Sequence, residues 1–173
     1  MIAYLIRHTA VDIPTGICYG QTDVPLKSTF EKEAERVKHR LTGISFDAVY
    51  SSPLTRCRRL ADYCGYADAI LDDRLKELNF GDWEMGKWDE LDMTIWDSDW
   101  VNAPTPNGEA FVQLYERLVS FLEELKAKDY DKVAVFTRGG IIGAAKAYFG
   151  QQDLRCAFDD IVKYGELVEF ELR

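Results

Sequence analysis

Met1-Ile2-Ala3-Tyr4-Leu5-Ile6-Arg7-His8-Thr9 joins an apolar run to a charged end. Ile2 to Ile6 are rich in β-formers and read as a buried strand. Arg7 and His8 stand where that strand should end. In open α/β sheets, ligands sit at the carboxyl ends of strands. An Arg-His pair there sets a fixed positive charge beside an imidazole that can attack, donate or accept a proton near neutral pH. From this stretch alone two readings are open. His8 is either the nucleophile of a phosphoryl-transfer site or a surface residue after an edge strand.

Working outward, residues 9–27 form a loop punctuated by Pro14, Gly16, Gly20 and Pro25, and loops of that length are often functional. Ser28-Thr29-Phe30-Glu31 fits a capping box, with Ser28 as N-cap. Phe30, Ala34, Val37 and Leu41 follow at helical spacing, and Gly43 suits the C-terminal end. His39, among Lys38 and Arg40, lies off that apolar stripe and reads as a solvated helix residue.

Phe46 to Tyr50 reads as a second strand, running into a helix that starts at Ser51-Ser52-Pro53. Leu54, Cys57, Ala61 and Cys64 make its buried stripe, and Arg56 falls in its first turn. A strand that ends in a helix N-terminus is a natural anion site, and an Arg there adds a bidentate donor. Taken alone, Arg56 reads equally as a solvated surface residue. Ala69 to Leu71 reads as a third strand. Glu77, flanked by Leu75 and Leu78, is a candidate general acid, since desolvation raises a carboxyl pKa. Residues 87–106, with Trp88, Trp96 and Trp100, read as a short helix and a closing loop. Asn107-Gly108-Glu109 opens a long helix whose apolar face runs from Phe111 to Leu125. Lys132 to Thr137 is almost continuously apolar, as buried parallel strands are. Arg138-Gly139-Gly140 then turns into a helix over about Ile141 to Phe149, the glycines supplying left-handed freedom. Ile161–Val162 and Leu167–Leu172 read as a strand pair around Gly165. Alternating β and α elements imply a three-layer α/β/α sandwich with a mostly parallel central sheet, in one domain over residues 1–173.

The chain has 173 residues, 47% hydrophobic and 29% charged, which is an ordinary globular composition. A net charge of −9 argues against general nucleic-acid binding and against an anionic membrane surface. Any anion site must then be a local arginine cluster. Cys18, Cys57, Cys64 and Cys156 form no C-x-x-C pair, and with two His in the chain no metal site is expected. No signal peptide or membrane span is expected, so the reading is a cytoplasmic protein with free thiols.

Six blocks in this order resemble the histidine phosphatases, the superfamily of phosphoglycerate mutase-like enzymes. They are Leu5-Ile6-Arg7-His8-Thr9, Gly20-Gln21-Thr22-Asp23-Val24-Pro25-Leu26, Ser51-Ser52-Pro53-Leu54-Thr55-Arg56, Leu75 to Glu84, Pro106 to Phe111 and Val135 to Ile142. The resemblance implies that His8 attacks phosphorus and carries a phosphohistidine. It implies that Arg7 and Arg56 clamp the phosphoryl oxygens, with Gln21 and Arg138 also on the substrate, and that Glu77 protonates the leaving alcohol. The substrate would be a small phosphate ester, inorganic phosphate the product, and no cofactor would be needed.

One position departs from the family, which has a second active-site His just before the Gly-Gly of the last block. Here that position is Arg138. An Arg keeps charge and donors but is longer and does not yield a proton. It is expected to hold phosphate and slow turnover, either crowding His8 or swinging aside. Two other functions remain open in the sequence: a catalytically silent phosphate-binding protein, and a phosphoglycerate mutase. The short chain favours hydrolysis over the mutase.

Overall fold

The computed structural model describes residues 1–173. Five strands form one sheet in the order β3-β2-β4-β1-β5. β1 (Ile2–Arg7) lies parallel to β4 (Lys132–Thr137), with Ile2 opposite Lys132 and Arg7 opposite Thr137. β2 (Ala48–Ser51) runs parallel to β4 on its other side, Ser51 facing Phe136. β3 (Ile70–Leu71) is the short outer strand beside β2. β5 (Leu167–Glu171) is antiparallel to β1, with Ile6 opposite Leu167. This register decides where the chemistry sits. The residues after β1, β2 and β4, and the segment leading into β5, all emerge at one edge of the sheet.

Strand alternation sends successive side chains to opposite faces. Ala3 and Leu5 of β1 and Val133 and Val135 of β4 join the core beneath α3 (Phe111–Lys126) and α4 (Gly139–Tyr148). Tyr4, Ile6, Ala134 and Phe136 join the core beneath α1 (Phe30–Leu41) and α2 (Thr55–Tyr63). Both faces are covered, which is why β1 and β4 read as unbroken apolar runs. The fold is the three-layer α/β sandwich that the sequence implies.

Several boundaries differ. α1 buries Phe30, Ala34, Val37 and Leu41 as expected, but its N-cap is Thr29 and no capping box forms. The Thr29 hydroxyl donates to Glu33 instead, at 2.7 Å. α2 starts at Thr55, after Pro53, because the Ser52 N–H is held by the Phe136 carbonyl (2.9 Å) and keeps the chain extended. Its buried residues are Arg56, Cys57, Leu60 and Ala61, and Leu54 is only half-buried. Cys57 and Cys64 are buried free thiols, and His39 is exposed. α3 starts at Phe111, not at Asn107. Glu109 is engaged elsewhere: its carboxylate accepts the Asn79 N–H (2.9 Å) and pairs with Arg117 (2.7 Å). Residues 87–106 hold two single 3-10 turns, Trp88–Glu90 and Thr94–Trp96, and no α-helix. Their tryptophans pack on one another and on Phe80, Trp83 and Phe111, with Trp83 and Trp96 rings 4.8 Å apart. Ile161–Val162 is not a strand; the Val162 carbonyl accepts from Arg7 Nη1 at 2.6 Å.

Candidate active site

At the common edge, His8 is fully buried. Its Nδ1 lies 2.7 Å from the Thr9 carbonyl. A carbonyl only accepts, so Nδ1 carries the proton and Nε2 carries the free lone pair. Nε2 has no hydrogen-bond partner. Burial, then Arg56 and Arg7, push the His8 pKa well below the ordinary value of 6.5, against a smaller upward pull from the Thr9 carbonyl. Desolvation and neighbouring cations both disfavour imidazolium. The imidazole is therefore neutral, with its Nε2 lone pair free.

Three guanidinium groups share this edge, and two of them, Arg56 and Arg7, act on His8. Arg56 is fully buried and donates to the carbonyls of Thr22 (2.8 Å) and Gly20. Arg138 is almost as buried and donates to the same Gly20 carbonyl at 2.9 Å. Arg7 donates to the Val162 carbonyl. The Gly20 loop is itself tied to Glu84, whose carboxylate accepts the N–H groups of Gly20 (2.9 Å) and Gln21 (2.8 Å) and the Thr22 hydroxyl (2.9 Å). The Nε atoms of Arg7, Arg56 and Arg138, with His8 Nε2 and the Thr9 hydroxyl, are the buried side-chain polar atoms left without partners. Such orphans are rare and costly. Here they gather on residues of one site, and three guanidinium donors suit an oxyanion such as a phosphoryl group.

Glu77 is 6% exposed and faces polar groups as well as its apolar neighbours. Its carboxylate accepts the N–H groups of Leu78 and Gly140, both at 3.0 Å, and stands 4.0 Å from Arg138 Nη2. Gly139 and Gly140 belong to α4 and neither has a left-handed backbone. Their smallness serves close approach instead: a Cβ on Gly140 would collide with Glu77 Oε1. Gln21 directs its side-chain amide to the Glu77 carbonyl at 3.1 Å. That carbonyl also accepts from Arg117 (2.9 Å). Arg138 is directed toward the Gly20 carbonyl and Glu77.

Sequence reasoning names His8, Arg7, Arg56, Arg138, Glu77 and Gln21, and the fold brings all six to one edge. It misses Glu84 and Arg117, which hold the loops that hold the site. The visible signals were an acidic residue closing the Leu75–Glu84 block and a lone Arg between Leu114 and Leu118 on an otherwise apolar face.

Comparison with known proteins shows the family. The sequence profile of the histidine phosphatase superfamily (branch 1) matches residues 3–173. The chain is 30% identical over 153 residues to a Hydrogenobacter thermophilus protein provisionally named phosphoserine phosphatase 2, covering 82% of this chain and 74% of that one. It is 30% identical over 160 residues to the adenosylcobalamin/alpha-ribazole phosphatase of Escherichia coli, covering 82% and 75%. The solved structure of a phosphoglycerate mutase from Thermus thermophilus superposes with a TM-score of 0.79 at 31% identity, covering 98% of this chain and 92% of that one. The chain belongs to the histidine phosphatase superfamily, and its relatives bear the names of both phosphatases and mutases.

The buried neutral imidazole makes stability depend on pH. The folded pKa of His8 lies below the unfolded one, so between the two the unfolded chain binds more protons and stability rises with pH. The contribution is complete above about 6.5, the unfolded value, and is lost as pH falls from there toward the folded value. Without phosphate, the urea midpoint of the wild type should fall between about pH 7 and about pH 5 more steeply than that of His8→Asn. Parallel pH profiles would contradict the assignment.

Proposed function

We propose that the chain is a phosphomonoester hydrolase working through a phosphohistidine at His8. The observation that carries this reading is the unpartnered Nε2 lone pair of a buried neutral imidazole beside Arg7 and Arg56. Nε2 attacks phosphorus as the ester oxygen departs, and Glu77 supplies the proton to that oxygen. The Glu77 carboxylate is held in place by two backbone N–H groups and has lone pairs left for a proton. Water then attacks the phosphohistidine and gives a proton to the Glu77 carboxylate left by the first step, the P–Nε2 bond breaks to release phosphate, and His8 returns to its neutral form. Arg7 and Arg56 stabilise the charge on the phosphoryl oxygens, while Arg138 adds a cation that holds bound phosphate without fitting the transition state.

For the substrate, we assign the alpha-ribazole phosphate ester of cobalamin nucleotide-loop assembly. The Thr after His8, the Cys18-Tyr19-Gly20-Gln21-Thr22-Asp23 run and the small size resemble alpha-ribazole phosphatases, and the Escherichia coli relative carries that name. We place the reaction in the cytoplasm, where the four unpaired thiols would persist; no helix is long and apolar enough to cross a membrane. A phosphoglycerate mutase is the second reading. Chain length does not separate the two, because this chain covers 92% of the Thermus thermophilus mutase. Incubation with phosphoglycerate and its doubly phosphorylated primer separates them by product: free phosphate, or the isomeric ester.

A brief chase with a labelled aryl phosphate should leave an acid-labile, base-stable adduct on His8 that is absent from His8→Ala. Label on a serine, or label retained in His8→Ala, would rule the mechanism out. Arg138→His should raise kcat at least about tenfold with phosphate binding equal or weaker, since one well-placed charge-stabilising donor is worth on the order of 10²–10³ in rate. An unchanged or lower kcat with the fold intact would make Arg138 a working part of this enzyme.

A further inference from the structure

The reacting atom of this site is out of reach. His8 Nε2 and the Nε atoms of the three arginines are all buried. No ester arrives at Nε2 unless something covering it moves. Two phenols provide the cover. The Tyr164 ring lies 5.6 Å from the His8 ring and 4.1 Å from the Arg7 guanidinium carbon. The Tyr19 ring lies 5.4 Å from the guanidinium carbon of Arg56 and 5.2 Å from that of Arg138. Between them the two rings lie against all three arginines. Their hydroxyls meet at 3.0 Å, across 145 residues of sequence.

We propose that Tyr19 and Tyr164 are a hydrogen-bonded clasp over the anion site, opened by the incoming ester and then flanking its alcohol half. The walls around them are fixed. Cys18 N–H bonds the Gly86 carbonyl (2.8 Å), the Cys18 carbonyl accepts from Met85 (2.7 Å), and the Gly20 N–H is on Glu84, so the Tyr19 backbone is pinned on both sides. Gly165 N–H lies 3.0 Å from the His8 carbonyl and 3.2 Å from that of Arg7, which pins the chain just after Tyr164. Movement therefore falls to the two side chains and their single mutual bond. Tyr164 is 39% exposed, so it has solvent to swing into. Cation–π attraction holds each ring against its arginines until an anion competes for those cations. An ester that brings its phosphate between the guanidinium groups weakens that attraction and frees one phenolic donor and one acceptor lone pair for its own alcohol half.

This inference rests on the anion-site reading above, and its test separates the two. Diethyl pyrocarbonate acylates neutral imidazole. The chain has two histidines, and the exposed His39 serves as an internal reference. In the wild type, His8 should react far more slowly than His39, and inorganic phosphate should slow it further. Tyr19→Phe and Tyr164→Phe keep the rings over the arginines and remove only the hydroxyl bond. Each should raise the His8 rate about three- to tenfold, the shift in opening that losing one net hydrogen bond gives, with His39 unchanged. An unchanged His8 rate in both variants, with phosphate still protecting, would overturn the clasp and leave the anion site standing. Faster His8 labelling in the variants without phosphate protection would support the clasp and overturn the anion site.

Discussion

One carbonyl oxygen, that of Gly20, accepts hydrogen bonds from two buried guanidinium groups, Arg56 on α2 and Arg138 at the start of α4. Two cations brought together in a dry interior repel each other and lose their water, and burial pulls the Arg56 pKa down accordingly. The Gly20 loop compensates them with main-chain dipoles. Glu84 fixes that loop through Gly20, Gln21 and Thr22, and the Glu77 backbone is braced by Gln21 and Arg117. The site is thus a set of cations held by carbonyls, with the buried Nε donor of each Arg left unpartnered.

That arrangement fits the charge of the whole chain. At −9, the protein repels a phosphate ester at long range. Attraction has to be local, and buried guanidinium groups supply it where solvent screening is weakest. The same burial keeps His8 neutral, because imidazolium beside Arg7 and Arg56 would be a further unpaired cation. In the proposed mechanism, holding the anion and preparing the nucleophile therefore have one physical cause. Two tyrosine rings complete the enclosure, lying against the three arginines.

Much of this was legible in the chain because it is local. β1 and β4 follow from apolar runs, the α3 face follows from 3.6-residue spacing, and Arg7, His8 and Arg138 stand at strand ends by position alone. The start of α2 was not legible, since it depends on Ser52 bonding Phe136 across the sheet. The α1 cap was misread because Thr29 and Ser28 are chemically interchangeable there, and only the chain path chooses between them. Gly139 and Gly140 look like a turn in sequence, but Gly140 makes space for Glu77, a requirement set by a residue more than sixty positions away, and Gly139 lies close against Ile161 and Arg7. Glu84, Arg117 and the Tyr19–Tyr164 pair act through partners far off in sequence, so the faint local signals of Glu84 and Arg117 do not reveal what those residues hold.

The central claim is that the unpartnered donors around His8 form a site for one phosphoryl group. Calorimetric titration of the protein with inorganic phosphate tests it most directly. The account predicts one site per chain, weakened at least about tenfold in Arg56→Met, which removes charge-assisted hydrogen bonds worth roughly 1.5–3 kcal/mol while keeping an unbranched chain. Absence of binding to the wild type, or equal affinity in a folded Arg56→Met variant, would contradict it.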